Sequence, residues 1–303
     1  TLVKTNQMDW GADFTFAGAN ALDMGVGTVY LNGSQTITVS ANTLTVGGTI
    51  TVTNGLSSGL TKAGAGTLVI GKAVVYTGDT MVNAGTLALS GAGALSTSSN
   101  ITVAAGAMLD ASLRTNGLLA LTSGQTLKGG GAVLGSITNA GTVAPGASPG
   151  TLTVVGDYSQ TGTLAIELSG TTPGSGHDVL AVASNVVLDG TLTVTTPSFT
   201  PSSGQSFTVL TAAAVSGTFA TTNLPAGDWT VDYQSDKVVL TVAGGSFAPI
   251  FGVTPASLTF DATKVGEYSE LTFTVTNNGN AQLDGTATVA TAGFTIQSGS
   301  PFS

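Results

Sequence analysis

The 303-residue chain has no cysteine, a single histidine, and only seven Lys plus Arg against sixteen Asp plus Glu. Without cysteine there is no disulfide staple and no thiol chemistry, so a long β-protein must draw its stability from repeated backbone hydrogen bonds. With neither cysteine nor paired histidines, the usual zinc ligand sets cannot be assembled. A net charge of −9 with scattered basic residues argues against nucleic acid, whose phosphates need clustered Lys and Arg. Only 8% of residues are charged. An ordinary soluble domain has about 25%, so Thr, Ser, Asn and backbone must keep this surface wet. Good helix formers such as Glu, Lys, Arg and Gln are scarce, and 43 glycines interrupt the chain, which disfavours helix. No apolar run approaches 18 residues, so no membrane-spanning helix is expected. The chain starts at Thr1 and shows no signal peptide, which reads as a mature or trimmed product.

What is present is a repeat. Gly-Thr followed by alternating apolar and polar residues recurs at Gly27–Leu31, Gly48–Val52, Gly66–Ile70, Gly85–Leu89, Gly150–Val154, Gly162–Ile166 and Gly190–Val194, with a Gly217-Thr218-Phe219 variant. The first four are roughly twenty residues apart, a period expected of solenoids. Each unit reads as a turn glycine followed by a strand; Leu68 and Ile70 point one way, Thr67 and Val69 the other. Such short strands bury an apolar face only by stacking. At some twenty residues per coil and ~4.8 Å per strand, residues 1–245 would form a rod of about 55–60 Å. Asn32-Gly33, Asn54-Gly55, Asn83-Ala84-Gly85 and Asn139-Ala140-Gly141 mark turns that need positive φ.

The run from Gly59 to Leu89 resembles the autotransporter-associated β-strand repeat of bacterial surface proteins. The likeness rests on Gly59-Leu60-Thr61-Lys62, Gly64-Ala65-Gly66-Thr67-Leu68, Tyr76-Thr77-Gly78 and Asn83-Ala84-Gly85-Thr86-Leu87. Lys72-Ala73-Val74-Val75 departs from the turn usual in that family. Val143–Tyr158 resembles the later part of such passengers, and Gln160–Leu240 their end region, with Asp178-Val179-Leu180 and Phe207–Leu210 in order. The resemblance implies a right-handed parallel β-helix displayed outside a Gram-negative cell. Gly244-Gly245-Ser246 then opens a linker. From Phe251 the chain resembles immunoglobulin-like modules of the ASPM/hydin kind, through Pro255, Leu258-Thr259-Phe260, Val265-Gly266, Phe273–Gly279, Phe294-Thr295-Ile296 and Ser300-Pro301-Phe302. Such a sandwich needs about a hundred residues, so the module reads as cut short. A fragment of a larger protein is the preferred explanation, with donor-strand completion by a neighbouring copy the alternative.

Catalysis on a β-helix would need converging carboxylates on adjacent coils. Asp9 and Asp13 lie close in sequence, and Asp228, Asp232 and Asp236 share a segment; all five read as solvated carboxylates or turn caps. His177 reads as an exposed loop residue, and Asp178 as making local turn hydrogen bonds. No repeat-type or D-x-D-x-D calcium loop occurs. Gly64-Ala65-Gly66 and Gly91-Ala92-Gly93 read as turn glycines rather than phosphate loops. Trp10 reads as a cap on the open end of the stack; Trp229, Tyr30 and Tyr76 are the other aromatic residues considered for a sugar platform.

The expected fold is all-β: a right-handed parallel β-helix followed by a partial immunoglobulin-like sandwich. Its divisions are 1–158 (solenoid), 159–244 (solenoid end region) and 245–303 (immunoglobulin-like segment). The expected function is that of a non-catalytic, secreted or surface-displayed rod serving as adhesin, spacer or fibre subunit. The alternative is a carbohydrate-active enzyme or carbohydrate-binding module. No catalytic, cofactor-binding or metal-binding residue is assigned, and no cofactor is expected. Self-association through the solenoid ends or the C-terminal module, and contact with surface glycans, remain open as partner modes.

Overall fold

Alternating sequences such as Thr67-Leu68-Val69-Ile70 place every second side chain on one face of a strand, and here that face turns inward: Leu68 and Ile70 are fully buried while Thr67 and Val69 are only half-buried. The computed structural model describes residues 5–53, 55, 57–243, 250–278 and 282–301. Residues fall into two compact units, Thr1–Ala243 and Gly244–Ser303. Among the described residues every regular element is a strand or an isolated bridge.

The first unit is a parallel β-helix. As far as Thr221–Asn223, successive strands do not pair with each other; they pair in parallel with strands of the neighbouring coils, so the chain winds around three faces. The second face is a continuous sheet of ten strands from Phe14–Phe16 to Thr221–Asn223, which defines ten coils. The third face holds eleven strands, beginning at Leu22–Asp23. The first face is split. Met8–Trp10, Val29–Leu31 and Ile50–Val52 form its early sheet, and five strands from Leu118–Leu121 to Ala214–Gly217 form its late one. Between them the coils touch on this face through the Ala73–Ala94 and Gly91–Arg114 bridges.

The core is a set of stacked columns. On the second face Ile101 pairs with Leu127, Leu127 with Val143, Val143 with Leu164 and Leu164 with Leu192, and all are buried. The column ends where Leu192 pairs with Thr222, which is exposed. At the other end Trp10 is 5% exposed and packs edge-on to Phe14, with ring centroids 5.0 Å apart. That placement matches a cap over the first coil.

Two expectations about the repeat need correction. The Gly-Thr units are not one per coil, since they supply strands to all three faces: Val29–Leu31 to the first, Thr163–Glu167 to the second and Thr67–Ile70 to the third. Nor is the period uniform. Thr126 pairs with Thr142, sixteen residues on, whereas Thr191 pairs with Thr221, thirty residues on. Turns of different length account for the spread, because the ladder fixes strand pairing and leaves the corners free. With ten coils, the stack spans about 43 Å from first to last strand at ~4.8 Å per step, shorter than a twenty-residue period implies.

The stack closes with a reversal. Trp229–Tyr233 and Lys237–Val242 form a hairpin, and its second strand adds antiparallel to Ser206–Thr211 on the third face, with a bulge between Thr208 and Leu210. In the second unit, Phe251–Thr254 and Thr274–Asn277 form one antiparallel pair. No second sheet faces them among the described residues, so the immunoglobulin-like expectation is not supported, and Phe251, Tyr268 and Phe294 are exposed. The linker glycines Gly244 and Gly245 and Ser246 lie outside the described residues, as do Thr1, Asn54, Gly279 and Phe302.

Candidate functional site

At each corner the chain leaves one ladder before entering the next, and its carbonyls need other donors. Buried polar side chains supply them. Lys62, at an inward position of the strand Leu60–Ala63, is fully buried. Its Nζ donates to the carbonyls of Ala63 (2.9 Å), Gly64 (2.7 Å) and, one coil later, Ala84 (3.0 Å). Burial pulls the Lys62 pKa down to about 8, so at neutral pH the ammonium keeps the three protons those carbonyls accept.

The corner leading onto the second face carries a longer series. Where the first-face ladder lapses, Tyr76 Oη and Thr80 Oγ1 lie 2.7 Å apart, Thr80 donates to Ser98 Oγ (2.9 Å), and Ser98 donates to the Gly78 carbonyl (2.8 Å). Thr97 Oγ1 adds bonds to the Val74 and Tyr76 carbonyls. Gln125 donates to the carbonyls of Leu95 and Ser98 in the preceding coil. Asn139 Nδ2 reaches Tyr158 Oη (3.1 Å) and the Thr163 carbonyl (3.1 Å), while Gln160 Nε2 reaches the Thr191 carbonyl (3.1 Å). Burial raises the pKa of both Tyr76 and Tyr158, which keeps the phenols protonated. Asn139 thus serves the interior of the stack, and the Gly141 beside it does not have positive φ.

The residues singled out for chemistry disperse. Asp9 and Asp13 are exposed in the first coil, where Asp13 accepts the Thr36 N–H (2.7 Å). Asp228, Asp232 and Asp236 are exposed on and around the closing hairpin. His177 and Asp178 correct their readings, for both are buried, at 1% and 4% exposure. His177 sits edge-on to Phe207, with Nε2 3.1 Å from the Thr208 carbonyl. Asp178 makes no local turn. Its carboxylate accepts the Gly150 N–H (2.8 Å) and the Glu167 N–H (2.9 Å), tying two coils to the loop after Glu167. Tyr76 is fully buried, which removes it from any sugar platform; Tyr30 is half-buried. Trp229 is half-buried and packs against Phe207.

One signal escaped sequence reasoning. Gly146-Ala147-Ser148-Pro149-Gly150 has the G-x-S-x-G spacing of a nucleophile elbow, and Ser148 has φ of 70°. Ser148 Oγ donates to Glu167 at 2.7 Å. The next residue is Pro149, which has no N–H to offer an oxyanion, so this serine fastens a turn and lacks the donor that acyl transfer needs.

The outer face is equally regular. Thr126, Thr142, Thr163, Thr191 and Thr221 follow one another in register along the second face, each with its side chain outward. This row repeats one hydroxyl and one methyl at every coil, a spacing of ~4.8 Å.

Residues 60–89 match the family model described as passenger-associated-transport-repeat. The match spans the third and fourth coils, including Lys62, Tyr76 and Thr80. No curated protein matches the chain.

Proposed function

We propose that the chain is a non-catalytic structural segment of a Gram-negative surface or secreted protein, a stiff β-helical rod that acts as a spacer or adhesin stalk. The observation that carries this reading is the unbroken ten-strand parallel ladder, with buried polar side chains closing its corners. Such a stack resists bending because each coil is bonded to both neighbours along its strands. The passenger-type repeat at residues 60–89 supports export to the cell surface. The outward threonine row supports weak contacts with surface glycans, repeated along the rod and additive through multivalency.

The test is protease shaving of intact producing cells with a periplasmic marker followed in parallel. Digestion of the chain, or its recovery from the medium, with the marker spared is the expected result. Retention inside the envelope would sink the proposal. Release of sugar reducing ends from polysaccharide incubated with the purified chain would favour the carbohydrate-active alternative instead.

A further inference from the structure

The outer row that ends in the threonines of the second face has one gap nearer its start. Its positions in the second to fifth coils are Ser34, Gly59, Asp79 and Asn100, and Thr126 continues it. The glycine is imposed by the stack. A Cβ on Gly59 would lie 2.4 Å from the Asp79 carbonyl oxygen, which the Leu60 N–H already holds at 2.9 Å. Where backbone packing forbids a side chain, the surface loses one. Ser34 and Asp79 therefore flank an empty position, two coil steps or about 9.6 Å apart. The result is a groove of about 400 Å³, a volume in the range of small-ligand sites.

The walls of this groove carry unused hydrogen-bonding capacity. Asp79 Oδ1 accepts from Asn100 Nδ2 (2.7 Å), and its Oδ2 has no partner among the described residues. Ser34 Oγ accepts the Gly59 N–H (3.0 Å) and keeps its own proton to donate. The hydroxyls of Ser57 and Thr61 likewise have no partner among the described residues. Met81, 38% exposed, adds apolar surface beside them. None of the residues lining the groove is basic, and the Lys62 ammonium, next along the strand, is turned to core carbonyls.

A ligand that fits has several hydroxyls on its rim, an apolar C–H face and no negative charge, because Asp79 would repel an anion. A neutral pyranose has all three. We propose that the groove at Gly59 is a binding site for a neutral sugar residue. Asp79 accepts from the sugar's hydroxyls, Ser34, Ser57 and Thr61 exchange hydrogen bonds with its rim, and Met81 packs against its C–H face. The proposal rests on the adhesin reading above, but it places glycan contact at one discrete site instead of along the threonine row.

Saturation-transfer NMR on the full chain tests it, with methyl glucoside, methyl galactoside and methyl mannoside as probes and methyl glucuronide as the anionic control. The expected result is transfer to the ring protons of at least one neutral probe and none to the glucuronide. Asp79→Ala should weaken binding about tenfold or more, through the lost charge-assisted hydrogen bonds. Ser57→Phe, at an exposed position, fills the groove without touching the carboxylate and should abolish transfer. Thr163→Val with Thr191→Val strips the row and should leave the signal unchanged. Circular dichroism spectra matching that of the unsubstituted chain establish that each variant folds. No transfer to any neutral probe, or transfer that survives both Asp79→Ala and Ser57→Phe, would overturn the site. Loss in the threonine variant alone would also overturn it, moving glycan contact to the row. Surface location is decided separately by protease shaving, so failure of the sugar site and failure of the adhesin reading are told apart.

Discussion

At the scale of single residues, the interior of this solenoid is unusual in placing polar side chains where a globular core would place leucine. Asn139, Gln160 and Lys62 are buried because each bonds backbone carbonyls across neighbouring coils, and leaving those carbonyls bare would cost about 1–3 kcal/mol apiece. Asp178 is the residue whose charge state matters most. Burial, the leading cause, and the nearby Glu167 carboxylate push its pKa up to about 6, against the downward pull of the Gly150 and Glu167 N–H groups. A carboxyl whose pKa rises on folding favours the folded state when protonated. Its contribution is full below the ordinary value of 3.8 and is lost as pH climbs through about 6. His177 works in the opposite sense: burial lowers its pKa, so its contribution is lost on acidification. Asp178→Asn is therefore expected to remove the stabilisation that protonation of Asp178 adds between about pH 7 and about pH 4, so that the variant gains less, or loses more, than the unsubstituted chain across that range. Thermal melts of both proteins across that range check it. An unchanged slope would mean that Asp178 titrates normally.

At the scale of elements, the Gly-Thr repeat marks the corners as much as the strands. Gly141, Gly162 and Gly190 stack at the entrance to the second face, where the next residue's N–H reaches the glycine carbonyl one coil earlier, as from Thr163 to Gly141 (2.8 Å) and Thr191 to Gly162 (2.8 Å). A Cβ on Gly162 would lie 2.1 Å from the Gly141 carbonyl oxygen. The obstacle is backbone just before a paired strand, its carbonyl held by the Thr163 N–H, and it cannot readily step aside. Gly162→Ala is expected to destabilise by roughly 1–3 kcal/mol. Gly11, with nothing near its missing Cβ and no positive φ, is the control, and Gly11→Ala should stay within about 0.5 kcal/mol. Denaturant melts of the two variants give the comparison; equal effects would refute the corner argument.

At the scale of the whole molecule, the first unit is a one-dimensional stack in which each coil touches only its neighbours, so damage at one end should remain there. Leu240, fully buried in the second hairpin strand, pairs with Phe207. A charge at Leu240, as in Leu240→Asp, should unseat the hairpin. Hydrogen exchange is then expected to show lost protection across 206–242, with the coils before residue 160 retaining theirs. Uniform loss along the stack would show instead that the ten coils fold as one cooperative block.

The alternation of apolar and polar residues by itself determined that this chain is all-β, because a period of two can bury only one side of a strand. The absence of Cys, and of His beyond His177, likewise bounds its chemistry. The spacing and identity of the residues from Gly59 to Leu89 also carried the passenger-type repeat, which the family match at residues 60–89 bears out. Other features depended on contacts between residues twenty to thirty apart in sequence, and local patterns do not encode those. A Gly-Thr unit looks the same whichever of the three faces it serves, so the number of coils emerged only from the pairing register. His177 and Asp178 sit in a Gly-Ser-rich stretch that reads as surface; they are buried because the loop folds back onto Gly150 and Phe207. Lys62 likewise gives no sign in sequence that its charge points inward. The carbonyl from the following coil that helps to hold it arrives only when the stack is built.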